Sequence, residues 1–182
     1  QASSGWSGSC FPKDTAEILA TSTNYGTNLS VVEAAVVSNT EMHEYCVNKV
    51  QSNLKSLNGK TIGILGLTFK PNTDDARKTQ ASYIINKLLN LGAKIKVHDP
   101  QGMEMFRLLN PELDIIYCEH PVDVSEDSDY LILLTHWDEY LNLDWNIIFT
   151  KVRNPYIFDT RNVLNYLESF QLNKIPFLDS MK

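Results

Sequence analysis

The 182-residue chain has no apolar run approaching ~18 residues, so its sequence offers no membrane span. It also has no excess of basic residues: 16 Lys and Arg stand against 22 Asp and Glu, a formal charge of −6. With no basic stripe, nucleic acid is not an expected partner, and an anionic small ligand would have to be met by a few placed cations. Cysteine is scarce. Cys10, Cys46 and Cys118 are odd in number and form no C-x-x-C spacing. That argues against a disulfide framework or zinc site and for a reducing, cytoplasmic setting. His43, His98, His120 and His136 lie far apart, and no metal is expected. The opening Gln1-Ala2-Ser3-Ser4-Gly5 lacks an initiator Met, a basic stretch and an apolar segment. The expectation is therefore no signal peptide, and a chain that starts within a longer one. What remains is ordinary globular composition, 43% hydrophobic and 21% charged, enough for one substantial core with a helical annex.

Two halves meet near Asn58-Gly59-Lys60, dividing the chain into residues 1–58 and 59–182. Before that point the signals are helical. Asp14 with Glu17 reads as a capping box opening a short helix, broken at Asn24-Tyr25-Gly26. Ser30-x-x-Glu33 reads as a second box, opening one helix that runs to about Leu57 with Asn58-Gly59 as its stop. Its stripe from Val32 through Leu57 would make a rod of ~42 Å, longer than a small domain covers. A second subunit is the expected cover. After Lys60, strands are expected at 61–65, 94–98, 115–117, 130–134 and 156–158. Helices are expected at 80–91, 103–109, 144–149 and 163–170, with a turn at 122–125. Such alternation predicts a doubly wound, mostly parallel α/β domain with its ligand at the C-terminal ends of the strands.

Three stretches carry candidate chemistry. In Gly5-Trp6-Ser7-Gly8-Ser9-Cys10-Phe11-Pro12-Lys13-Asp14, small residues surround a cysteine just before a helix start, with Lys13 nearby. A helix N-terminus and a cation both favour the nucleophilic thiolate. Asp14 reads either as a plain N-cap or as a carboxylate able to handle water or a proton. Cys46 and Cys118 read as core residues. The second stretch, Gly63 to Arg77, follows the first strand but has two glycines where the G-x-G-x-x-G fingerprint needs three. Thr73-Asp74-Asp75 reads as a cap with an acidic first turn, while Lys70 and Arg77 are cations suited to a phosphate. The third, Phe158-Asp159-Thr160-Arg161-Asn162, ends the fifth strand and puts Arg161 at the ligand edge. His98-Asp99-Pro100 reads as a turn, with a ribose-binding acid as the alternative.

Together these stretches resemble the UDP-glucose/GDP-mannose dehydrogenase family. Gly8-Ser9-Cys10-Phe11-Pro12-Lys13-Asp14 is similar to the family's catalytic-cysteine motif. Gly66-Leu67-Thr68-Phe69-Lys70-Pro71-x-Thr73-Asp74-Asp75-x-Arg77 is similar to the motif that opens its UDP-binding domain. Residues 30–57 resemble the central helix that joins the family's two α/β domains and forms a homodimer contact. The resemblance covers nearly the whole chain and only the C-terminal part of the family's architecture.

By that resemblance, Cys10 is the nucleophile and Asp14 helps activate or orient water. Lys13 and Arg77 face NAD, which a further N-terminal domain holds. Phe69, Lys70 and Arg161 hold the UDP-sugar, and Gly5, Trp6 and Gly8 lie along the sugar. The family oxidises the sugar C6 alcohol to a carboxylate with two NAD⁺, through a thiohemiacetal and a thioester on the cysteine. Phe11 leans towards UDP-glucose as substrate, with UDP-glucuronate as product; GDP-mannose and UDP-N-acetyl sugars are the alternatives. Two features depart from the family: Ser7 stands where Gly is common, and the NAD domain with its catalytic Lys and Asn lies outside this chain, so the chain alone is expected to be inactive. The rival readings are a non-catalytic nucleotide-binding module, and a thiol peroxidase or acyltransferase. The last would need a resolving cysteine or a nearby His, and neither stands close in sequence.

Overall fold

Strands whose side chains are apolar on both faces need cover on both faces. Ile62 and Ile64, with Tyr130 and Ile132, enter one core, whereas Leu65, Leu131 and Leu133 enter another. The computed structural model, described here for residues 3–164 and 171–174, supplies that cover. Two helices come first, α1 (Phe11–Asn24) and α2 (Ser30–Leu54). There follow β1 (Thr61–Leu65), α3 (Gln80–Asn90), β2 (Lys94–His98), α4 (Met103–Leu109), β3 (Ile116–Tyr117) and β4 (Tyr130–Leu133). The described chain ends with α5 (Asp138–Leu141), α6 (Trp145–Lys151), β5 (Tyr156–Asp159) and β6 (Gln171–Lys174).

The strands form one six-stranded sheet in the order β3-β2-β1-β4-β5-β6. Every pairing is parallel. This is the doubly wound order, and its direction reverses between β1 and β4, where such sheets open a ligand crevice. In register, Leu65 lies opposite both His98 and Leu133. The residues that follow these strands therefore gather at one edge. Cys46, Val47 and Val50 of α2, Ile84 and Leu88 of α3 and Phe106 of α4 fill one face. Tyr140, Trp145 and Ile148 fill the other.

Helix α2 is buried only in its second half. Val31 and Val37, in the first half, are 82% and 56% exposed. Both expected capping boxes are absent. Cys10 occupies the N-cap of α1 and Leu29 that of α2, neither with a side-chain cap. Pro12, whose fixed φ suits a first helical turn, starts α1 ahead of Asp14. The expected stop of α2 also moves: Lys55, with φ +63°, ends the helix before Asn58-Gly59. Asp74 and Asp75 precede the helix that starts at Gln80, so they are not its first turn. Val163 and Leu164 are not helical, because their N–H groups both go to Asp159 Oδ2 at 2.7 Å. The rest of that expected helix, 165–170, lies outside the described residues. Strand β6 and helix α5 were not expected from the sequence.

Buried Asp99 organises the ligand edge. Its Oδ2 accepts from the Leu67 N–H at 2.7 Å, the Thr68 N–H at 3.1 Å, the Thr68 hydroxyl at 3.2 Å and the Trp137 indole N–H at 3.1 Å. Its Oδ1 accepts from the N–H groups of Gln101 and Gly102 at 3.1 and 2.7 Å. The carboxylate is taken up by the protein's own donors, which removes the ribose-binding alternative and leaves Asp99 as the anchor of a turn. Buried Asp129 does the same at the opposite edge, accepting from the Thr61 N–H at 2.9 Å and from Lys60 at 3.1 Å. Burial pushes its pKa up, but the Thr61 N–H, Lys60 and Arg153 together hold it below the ordinary value.

Asp99→Ala strands several buried N–H groups and should cost at least ~3 kcal/mol in urea unfolding at neutral pH. A loss under ~1 kcal/mol would contradict this role. Because the folded-state pKa of Asp129 is depressed, its stabilisation is present above the unfolded carboxylate value of ~3.9 and fades as pH falls through the folded value. Asp129→Asn should therefore lower stability at neutral pH and flatten the acid limb of the stability curve; an unchanged acid limb would refute the assignment.

Candidate functional site

The cysteine loop is fastened to the ligand edge of the sheet by its own small residues. Gly8 adopts φ +91°, and a Cβ there would stand 3.0 Å from the Phe69 ring. Only glycine allows both the backbone turn and that contact. The Gly8 N–H donates to the Lys78 carbonyl at 3.1 Å, tying the loop to the segment between β1 and α3. Ser7 donates its hydroxyl to Gln80 Oε1. The Gln80 amide donates to the Leu134 carbonyl at 3.4 Å, which also accepts from Arg161 Nε at 2.5 Å. A line of polar contacts thus runs from the loop, across the end of β4, to the end of β5. Ser7 begins it.

Cys10 is exposed, with the Ser9 hydroxyl 3.8 Å from its sulfur. Its carbonyl accepts from the Asp14 N–H at 2.9 Å, so Asp14 sits one turn into α1. Lys13 Nζ lies 3.3 Å from Asp14 Oδ1, with both side chains 65% exposed. The hydrogen bond to Asp14 raises the Lys13 pKa, and the Cys10 sulfur lies within electrostatic reach of Lys13 and of Arg77. Arg77 is held in a bidentate pair by Asp75, at 2.9 and 2.7 Å. With Ser9, Arg77 also lines an open cleft of about 430 Å³. Among the predicted residues, Cys10, Lys13, Asp14 and Arg77 are therefore brought to one surface. The other thiols differ: Cys46 is fully buried and its pKa is pushed up to about 12, and burial raises that of Cys118 as well.

On the nucleotide side, Phe69 is half-buried against Gly8, and Lys70 Nζ lies 5.3 Å above the Phe69 ring. Arg161 runs beneath the strand ends. Burial lowers its pKa, with Cys46 and Asp159 pulling the other way. Its Nη2 is sealed from solvent and has no hydrogen-bond partner among the described residues. The turn that carries it is built by Asp159, whose Oδ1 accepts the Arg161 N–H at 2.9 Å. Trp6 packs 5.5 Å from the Phe11 ring and is bonded through its backbone to Asn39 of α2. Asn39, Gln80 and the carbonyls of Lys78 and Leu134 escaped the sequence reading. Backbone acceptors leave no sequence signal, and the two amides read only as helix positions.

Among the described residues no cluster of His, Cys, Asp or Glu could hold a metal ion, and no helix is long and apolar enough to cross a membrane. Residues 63–166, more than half of the chain, match the UDP binding domain of the UDP-glucose/GDP-mannose dehydrogenase family. The chain belongs to that family. It is 37% identical over 161 residues to a UDP-glucose 6-dehydrogenase of Rickettsia bellii, covering 88% of this chain and 37% of the relative. The UDP-glucose 6-dehydrogenase TuaD of Bacillus subtilis is 35% identical over 168 residues, covering 92% of this chain and 36% of TuaD. The solved UDP-glucose dehydrogenase of Pyrobaculum islandicum superposes with a TM-score of 0.83 at 31% identity, covering 96% of this chain and 38% of that one. The chain thus spans little more than a third of the length of these dehydrogenase relatives.

Exposure separates the three thiols. In the folded chain, brief iodoacetamide treatment should label Cys10 at least ~100-fold faster than Cys46, whose reaction requires opening of the core. Peptide mapping reads the rates, and equal labelling of the three cysteines would contradict the geometry.

Proposed function

We propose that this chain supplies the catalytic cysteine loop and the UDP-sugar-binding domain of an NAD-dependent dehydrogenase that oxidises UDP-glucose to UDP-glucuronate. The observation that carries this reading is the bond from Gly8 to Lys78, with the Phe69 ring against Gly8. It fixes a solvent-open cysteine beside the switch-point edge of the sheet. Residues 1–58 act as the catalytic and dimerising region, and residues 59–182 as the nucleotide-binding domain.

Lys70 and the Arg161 guanidinium meet the diphosphate, and Phe69 packs beside it. The sugar lies along Gly5, Trp6 and Gly8, which sets C6 towards Cys10. Lys13 and Arg77, two exposed cations close to Cys10, suit the anionic flank of NAD, and their remaining donors are available to it. NAD, when bound, takes up the hydride removed from C6 in each oxidation. At the aldehyde stage the Cys10 thiol adds to C6, forming a C–S bond as the C=O π bond opens and the thiol proton passes to the oxygen, which becomes a hydroxyl. Once oxidised, that adduct is a thioester. Asp14 orients a water that attacks it; the C–S bond breaks and the sulfur leaves as thiolate, giving the carboxylate. Sulfur suits both directions because it adds to carbonyls readily and departs readily.

The first half of α2, with exposed Val31 and Val37, supports a homodimer built through that helix, since such apolar surface is aggregation-prone when bare. Three free thiols support a reducing, cytoplasmic location. Light scattering should give a dimer, and a monodisperse monomer at high concentration would refute the pairing.

The domain should bind UDP without other domains, because its phosphate cations are local. Calorimetry with UDP should show heat that Lys70→Ala reduces and Arg161→Ala abolishes. No heat from the folded parent would overturn the nucleotide reading. In the protein that also carries the NAD-binding part, Cys10→Ala should abolish acid formation from UDP-glucose. GDP-mannose turned over in preference to UDP-glucose would move the substrate assignment.

A further inference from the structure

We infer that Asn39, in the middle of α2, is the positioning residue that sets the cysteine loop against the rest of the site. This rests on the reading of Cys10 as the nucleophile. Both polar backbone groups of Trp6 go to this one side chain. The Trp6 N–H donates to Asn39 Oδ1 at 2.7 Å, and Asn39 Nδ2 donates to the Trp6 carbonyl at 3.1 Å. A primary amide can accept and donate side by side, as a neighbouring strand would; aspartate offers the acceptor alone, and alanine neither. The two bonds also fix the orientation of the amide, since the flipped form would face N–H to N–H.

The loop is shaped to accept this contact. Gly5 has φ +102°, and a Cβ on it would stand 2.4 Å from Asn39 Oδ1. A side chain at position 5 would thus both strain the backbone and drive the Asn39 amide away. The placement also runs against local preference, because asparagine is a weak helix former and Asn39 is far from either end of α2. The remaining anchors of the loop, Ser7 to Gln80 and Gly8 to Lys78, belong to the α/β half. Asn39 therefore holds the loop from the α2 side, and Cys10 follows four residues after the clamped Trp6. The clamp touches neither Lys70 nor Arg161. Its loss should displace the sulfur relative to bound sugar while leaving nucleotide binding nearly as it was.

The test reads the loop directly. In Asn39→Ala, exchange of the Trp6 amide hydrogen should quicken at least ~10-fold, the equivalent of about one lost hydrogen bond. Cys10 alkylation should change by ~3-fold or more, with Cys46 and Cys118 still protected. Asn39→Asp, which keeps the acceptor for the Trp6 N–H, should fall between the two. Unchanged exchange and alkylation in a variant whose Cys46 stays protected would overturn the inference. Should Asn39→Ala expose Cys46, Gly5→Ala decides, since it disrupts the same contact from the loop and leaves the core of α2 intact; the same two readouts must move, and their constancy overturns the inference. In the protein that carries the NAD-binding part, Asn39→Ala should lower kcat at least ~10-fold with the affinity for UDP within ~2-fold. A rise in KM with kcat unchanged would contradict a positioning role. A parent protein that neither binds UDP nor turns over would count against the dehydrogenase reading, whereas the amide exchange and alkylation results judge Asn39 independently.

Discussion

The buried carboxylate of Asp99 gathers donors from the loop after β1, from the turn leading into α4 and from the indole of Trp137. It is buried, so the Leu67, Thr68 and Gly102 N–H groups and the Trp137 indole N–H would lose a buried partner without it. Through Leu67 and Thr68 it fixes the start of the segment that carries Phe69, Lys70 and Arg77. That segment in turn presents the Lys78 carbonyl to Gly8 and the Phe69 ring to the same glycine. Position of the cysteine loop therefore depends, two contacts removed, on one carboxylate under the sheet edge.

The same economy runs along β5. Asp159 closes the turn that carries Arg161, and Arg161 bonds the Leu134 carbonyl beside Gln80. Arg161 thus holds a backbone acceptor through Nε, while its Nη2 has no hydrogen-bond partner among the described residues. The guanidinium is thereby ordered, so on the proposed reading little rotamer freedom would be lost on phosphate binding.

Much of this was legible in the sequence. The alternation of apolar strands with helices predicted the parallel sheet, and the spacing of apolar residues after Ser30 predicted one long helix, α2. Cys46 and Cys118 read correctly as core. The failures have physical reasons. Asp14 and Ser30 look like caps by residue type, but Pro12 fixes the earlier start of α1, and Leu29 takes the N-cap of α2 ahead of Ser30. The turn read at Asp99 holds, whereas its ribose-binding alternative falls because sequence does not reveal which buried donors converge on a carboxylate. Asn39 and Gln80 gave no signal, since each works through backbone geometry brought together by the fold.

The central claim is that the cysteine loop and the nucleotide-binding edge form one site. Cys10 alkylation measured with and without saturating UDP-glucose tests it most directly, with binding checked by calorimetry in the same preparation. One site predicts that bound UDP-glucose slows labelling of Cys10 and leaves Cys46 and Cys118 unaffected. UDP-glucose that binds with measurable heat while Cys10 labels at its free rate would contradict the account.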